Sequence, residues 1–211
     1  MSFKNKQTLL FIGDSITDCG RRDADRPLGR GFVKMFSDLL ILREPTKQFR
    51  VINKGIGGDT ATGLRNRWDD DVLRHKPDWL FIKVGINDLH RVLRNSEDQV
   101  PPELYQEAYE DILKRTKASL PKCSIILIDP FFISQETSPN SFRHDVLQLL
   151  PKYIKVVSKL STKYQTHHLK THVIFQRLLK THESEVFCPE PVHPNATGHI
   201  IIAESLHKLL Q

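Results

Sequence analysis

Four short segments carry side chains able to share one chemical task. The first is Gly13-Asp14-Ser15-Ile16, which closes an apolar run at residues 8–12. A serine hydroxyl is a weak nucleophile until a base takes its proton, and the base is most often a histidine held by a third group. The segment Pro189-Glu190-Pro191-Val192-His193-Pro194 offers a histidine and a carboxylate three residues apart. The prolines that follow Glu190 and His193 bias both residues toward extended backbone, which makes a stiff loop. Attack on a carbonyl also needs donors aimed at the oxyanion that forms. The backbone N–H of Ser15 at a strand-to-helix turn is one, and a glycine at 57 or 58, with no side chain over its N–H, is another. The neutral side chain of Asn87, in Gly85-Ile86-Asn87-Asp88, is a third. Singly, each piece reads as a turn, a helix cap or a surface loop. Together they follow one another in order, each at the loop where a site is expected.

The elements that must position them follow from apolar patterning. Residues 8–12, 49–53, 78–84 and 124–128 read as strands, each stopped by glycine, aspartate or proline. Phe32, Val33, Phe36, Leu39 and Leu40 recur at helical spacing. Further helices are expected over 61–74, capped by Thr60, and over 102–120, 141–163 and 196–210. Strands alternating with helices predict an α/β fold of three layers, α/β/α, around a parallel sheet of about five strands. No linker or repeat divides the chain, so residues 1–211 are expected to form one domain. The fifth strand should fall near 166–173, yet Thr166-His167-His168-Leu169-Lys170-Thr171-His172 is polar, which fits an exposed edge strand or a strand that has decayed. Ligands bind beyond the carboxyl ends of open parallel sheets. The breaks at Ser15, at Gly57-Gly58 and at Asn87 all lie there.

In order and content these segments resemble the four blocks of the SGNH hydrolases, also called the GDSL esterase/lipase family. Gly13-Asp14-Ser15 matches the block that carries the nucleophile. Gly55-Ile56-Gly57-Gly58-Asp59-Thr60 matches the second, with Gly58 at the oxyanion-hole glycine; Asn87 matches the oxyanion-hole asparagine, and His193 the base. The resemblance spans about residues 9–210. It implies a flavodoxin-like sheet and two-step acyl transfer through an acyl-serine, with no metal and no cofactor. The family carries aspartate three residues before the histidine; here that position is Glu190, one methylene longer. Glutamate is the triad acid in other serine hydrolases. Three stretches, residues 10–21, 51–56 and 76–79, resemble bacterial acetylxylan esterases, which implies a short acyl group, acetyl first, on carbohydrate.

Three other readings stay open. Lysophospholipases and thioesterases share these blocks, and a polar stretch before the last loop could leave a weakened, carbohydrate-binding member. Residues 18–30 are polar and charged where a long-chain lipase would carry an apolar lid, which favours a small acyl group on a hydrophilic alcohol. Asp14 and Trp68 are the substrate-binding candidates, with Trp68 either a wall of the site or a helix-packing residue. Trp79 begins a strand and reads as core. His168 and His172 stand four apart without a third metal ligand, and Cys188 reads as a small buried hydrophobe.

Lysine and arginine exceed aspartate and glutamate, 31 to 25. The densest basic group, Arg21, Arg22, Arg26 and Arg30, is interleaved with Asp23 and Asp25 and forms no one-signed stripe, which argues against nucleic acid. Three cysteines at no metal-ligand spacing fit reduced thiols in the cytoplasm. No apolar run suits a signal peptide or a membrane span. The expected partner is a small-molecule ester, and a homo-oligomer is left open.

Overall fold

A computed structural model describes residues 3–211. Five parallel strands form one sheet in the order β2-β1-β3-β4-β5: β1 (Thr8–Gly13), β2 (Arg50–Gly55), β3 (Trp79–Lys83), β4 (Ser124–Ile128) and β5 (His167–Leu169). Helices cover both faces. Helix α1 (Ser15–Asp18) follows β1, and α2 (Phe32–Arg43) leads to β2. Between β2 and β3 lie α3 (Ala61–Asn66) and α4 (Trp68–Asp71). Helices α5 (Ile86–Leu93) and α6 (Pro102–Ser119) precede β4, α7 (Phe142–Tyr164) precedes β5, and α8 (Thr171–Leu178) and α9 (Ala196–Leu209) complete the order. Helix α2 packs on α9, while α6 packs between α3 and α7.

The central strands are buried on both faces, which is why β1 and β3 read as continuous apolar runs. Phe11 lies opposite Phe81 in the register, and their rings stack at 4.1 Å. Phe32 and Phe36 of α2 meet Phe11 edge-on, so one helix is fixed by aromatic contacts to the strand pair that carries the first loop. The register also sets the site: Gly13 pairs with Gly55 on one side and with Lys83 on the other, so three strand ends stop level.

Two expectations change. The single helix expected over 61–74 is α3, α4 and a 3-10 turn at Leu73–His75. The break falls at Arg67, whose guanidinium binds Asp59 at 2.8 Å, Asp71 at 2.7 Å and the Lys54 carbonyl at 2.8 Å. These bonds hold the backbone out of the helix and turn Trp68 inward. The polar fifth strand is real, short and at the sheet edge. His168 reaches the fully buried Asp129 at 2.6 Å, while Thr171 donates to the Asp129 carbonyl at 2.7 Å. Burial raises the Asp129 pKa and His168 opposes the rise, so the polar side chain of β5 answers a carboxylate at the end of β4. His168 sits on the strand and His172 on α8, so the two share no helix face.

Replacing His168 with leucine strands the Asp129 carboxylate in the interior, with an expected cost of about 3 kcal/mol in urea unfolding. A loss below about 1 kcal/mol, the range of an exposed pair, would show that the two do not depend on each other.

Candidate active site

β1 ends at Gly13 because nothing larger fits: a Cβ there would lie 2.0 Å from the Lys83 carbonyl oxygen. Asp14 follows as the cap of α1, its Oδ1 accepting the Ile16 N–H at 3.1 Å. Ser15 is the first helical residue, and its Oγ lies 2.8 Å from His193 Nε2. On the far side of the ring, Nδ1 is hydrogen-bonded to Glu190 Oε1. An ionised carboxylate can only accept, so Nδ1 carries the proton and Nε2 is left to accept from the serine.

The extra methylene of Glu190 is absorbed locally. Its carboxylate folds back over its own turn, where Oε1 accepts the His193 N–H at 2.7 Å and Oε2 the Val192 N–H at 3.0 Å. Burial works to raise the Glu190 pKa, but those two amides and the imidazole outweigh it and hold the pKa below the usual carboxylate value. The loop is tied down at both ends. Ile133 donates to the Pro191 carbonyl at 2.8 Å, and Asn195 caps α9 while donating to the carbonyls of Glu185 and Val186. One turn into α9, His199 Nδ1 accepts the Phe32 N–H at 3.1 Å, and burial drives its pKa down to about 4, which keeps it neutral. His193 therefore stands in the loop that leads into α9, and that helix is hydrogen-bonded to the start of α2.

The three oxyanion candidates lie on the loops that follow β1, β2 and β3. Gly58 has φ +80°, a backbone that favours glycine, in an exposed turn. Asp18 Oδ2 accepts the Gly57 N–H at 3.2 Å and fixes that turn to α1. Asn87, in the first turn of α5, donates to the Asp59 carbonyl at 3.0 Å, which orients the amide and leaves its second N–H for a ligand. Its neighbour Asp88 is buried and accepts the Ala61 N–H at 2.9 Å, joining the second loop to the third. Ser15 and His193 open onto a cavity of about 350 Å³ lined also by Ile16, Cys19, Arg30 and Ala196.

The structure separates Asp14 and Trp68 from substrate. Trp68 is fully buried and donates to Thr116 Oγ1 at 3.0 Å, so it is core. Trp79 is core as expected. Asp14 is equally withdrawn, and the Lys83 ammonium lies 3.1 and 3.3 Å from its two oxygens. Cys188 is buried, donates to the Glu190 carbonyl and has its pKa pushed up to about 12 by burial, which makes it no partner for His193. Sequence reasoning missed Lys83. The signal was one cation at the end of the otherwise apolar Trp79-Leu80-Phe81-Ile82, in a strand expected to be covered on both faces.

A hydroxyl, an imidazole and a carboxylate in line at the carboxyl edge of a parallel sheet are the equipment of a serine hydrolase. Comparison with known proteins agrees. The profile of the GDSL-like Lipase/Acylhydrolase family matches residues 11–201. An acetylxylan esterase of Geobacillus stearothermophilus is 34% identical over 97% of this chain and 94% of its own. Its crystal structure superposes with a TM-score of 0.87, covering 100% of this chain and 96% of that one at 34% identity. YpmR of Bacillus subtilis is 23% identical over 99% of this chain and 84% of its own. The chain belongs to the GDSL-like lipase/acylhydrolase family and is a carboxylic ester hydrolase. Its α/β fold is the one that family shares.

Two measurements probe the frame under the site. Lys83→Met leaves Asp14 charged and unpaired, with an expected loss of about 3–5 kcal/mol in stability. Adding Asp14→Asn to that variant should recover most of the loss, and a double variant no more stable than Lys83→Met would refute the pairing. Burial, the largest cause, raises the Asp88 pKa to about 7. A carboxyl whose folded pKa lies above its unfolded value stabilises fully below the unfolded value, near 4, and loses that contribution as pH rises through about 7. Asp88→Asn should therefore compare better with wild type at pH 8 than at pH 5, by about 5–10 °C in Tm. Equal differences at both pH values would refute the raised pKa.

Proposed function

We propose that the protein hydrolyses short-chain acyl esters, acetyl first, on a hydrophilic carbohydrate-type alcohol, through an acyl-serine. The observation that carries this reading is the line from Ser15 Oγ through the His193 ring to Glu190. His193 Nε2 takes the Ser15 proton as Oγ bonds to the ester carbonyl carbon. The oxyanion is held by the backbone N–H groups of Ser15 and Gly58 and by the Asn87 amide. The tetrahedral intermediate collapses, the alcohol leaves with the proton from His193, and acyl-Ser15 remains. Water then gives a proton to His193 and attacks, releasing the acid and restoring Ser15. Glu190 fixes the Nδ1–H tautomer and stabilises the imidazolium, and neither a metal nor a cofactor enters any step.

Several observations support the finer points. Crystal structures of catalytic mutants of the Geobacillus esterase are known at a serine, an aspartate and a histidine. Glu190, in the aspartate's place, reaches the imidazole by folding back. The cavity beside Ser15 is small and carries Arg30, which suits a polar substrate better than a long acyl chain. We read residues 1–211 as one catalytic unit, and the three unpaired thiols fit a reducing compartment such as the cytoplasm. Among the described residues no helix is long and apolar enough to cross a membrane.

Ser15→Ala should lower kcat on p-nitrophenyl acetate by at least about 1,000-fold. Glu190→Gln should cost about 100-fold or more, as loss of the tautomer-fixing carboxylate does elsewhere, and Glu190→Asp much less. Rates on acetyl, butyryl and octanoyl p-nitrophenyl esters should fall with chain length, and acetylated xylo-oligosaccharide should be deacetylated. Full activity of Ser15→Ala would end the acyl-serine assignment, and a preference for octanoyl would move the reading to a lipase or thioesterase.

A further inference from the structure

The arginines of the 21–30 segment take no part in the chemistry above, and Arg22, Arg26 and Arg30 are exposed. All four are nonetheless pinned through the guanidinium, Arg30 by Asp25 at 2.8 Å. Arg21 Nε donates to the Gly55 carbonyl at 2.7 Å, and Arg22 Nε to Asp18 Oδ2 at 2.8 Å. Arg26 donates twice to the Arg22 carbonyl, at 3.0 and 2.7 Å. Asp18 Oδ2 is the same oxygen that accepts the Gly57 N–H, so Arg22 is coupled to the oxyanion turn. The space at Gly57 measures how close this is. A Cβ placed there would lie 3.8 Å from Arg22 Nη2 and 4.0 Å from Ser15 Cβ, so guanidinium and nucleophile flank one glycine.

Arg22 also lines a cleft of about 440 Å³ beside β2. Arg21, Arg22 and Arg26 line it together with Pro27, Leu28 and Ile52, and no carboxylate is among its lining residues. Burial, the largest cause, lowers the Arg21 pKa; Asp18 opposes it, and the like charges of Arg22 and Arg67 add to it. On the other side of Ser15, Arg30 lines the cavity that holds the nucleophile. Pinned guanidiniums at an apolar wall are organised for the two parallel bonds that a carboxylate accepts, with little side-chain freedom left to lose on binding.

Resting on the esterase reading above, we infer that this cleft is a subsite for a carboxylate on the alcohol part of the ester, with Arg22 as its first contact. The favoured substrates are acetyl esters whose alcohol carries an acid group one ring away from the ester oxygen, as in a uronate-bearing saccharide. Neutral esters react at the same serine without this contact.

Two small esters isolate the charge: 4-acetoxybenzoate and its methyl ester, methyl 4-acetoxybenzoate. They share the acyl group and the ring, and each rate is referred to its own hydroxide-catalysed rate. The full-length enzyme should favour the anion about tenfold in kcat/KM, mostly through KM, the size of one charge-assisted contact at a partly exposed site. The preference should fall toward one in Arg22→Gln and shrink as sodium chloride is raised. Because the readout is a ratio, a general loss from disturbing Asp18 or Gly57 cancels. Arg74→Gln, on the remote 3-10 turn, should keep the wild-type ratio. A wild-type ratio of one, or a ratio that survives Arg22→Gln, overturns the inference while the esterase reading stands. No turnover of either ester removes both.

Discussion

Beneath Ser15 a lysine and an aspartate meet out of water. Taking both charges from solvent is costly, and only close geometry with further hydrogen bonds offsets it. The Lys83 ammonium lies against both Asp14 oxygens and over the face of Phe131. Asp14 also accepts the amide that starts α1. The pair therefore links the ends of β1 and β3 to the backbone turn that presents the serine. Asp88, one residue from Asn87, extends the buried polar contacts to the first turn of α3 and so to the Gly58 loop. The proposed oxyanion donors come from three loops. The buried groups behind those loops, Asp14 with Lys83 and Asp88 with the Ala61 amide, tie them to one another.

Much of this was legible in the sequence, for a physical reason. Strands buried on both faces must be apolar throughout, so Leu9-Leu10-Phe11-Ile12 and Trp79-Leu80-Phe81-Ile82 mark themselves, and the polar residues that end them mark the carboxyl edge. Once the edge is known, Ser15, Gly58, Asn87 and His193 fall to one side of the molecule. What escaped was decided by tertiary contacts. Trp68 is held by Thr116, 48 residues away, which no local pattern shows. Lys83 looks like a strand-end residue able to reach solvent, and nothing local says that Asp14 will meet it. The helices α5 and α8 are short, eight residues each, and too brief for periodicity to separate them from loops.

Glu190 and β5 are the two places where the chain departs from its family or from the pattern expected of a strand, and both are settled by short-range geometry. A longer acid would overshoot if it entered the loop as aspartate does. Here the backbone amides of Val192 and His193 bend it back and hold it ionised against burial. In β5, histidine replaces an apolar residue because the neighbouring strand ends in a buried carboxylate that needs a donor. Polarity in an expected core position is evidence of decay only when no partner faces it; His168 has one.

The same test applies to charge at the surface. Arginine next to aspartate in sequence suggests neutral, solvated coil, and for Arg30 and Asp25, an exposed pair at 2.8 Å, that is the arrangement. For Arg22 the partner is Asp18, which already carries the Gly57 amide, while Arg21 and Arg26 bond carbonyl oxygens that carry no formal charge. The local sum is positive although the segment's composition is mixed. Chemistry and selectivity are thereby assigned to different material. The serine, its donors and its base sit on strand ends and helix starts that buried contacts fix in place. The charge that can sort one alcohol from another lies on a loop that meets this frame through the single carboxylate of Asp18.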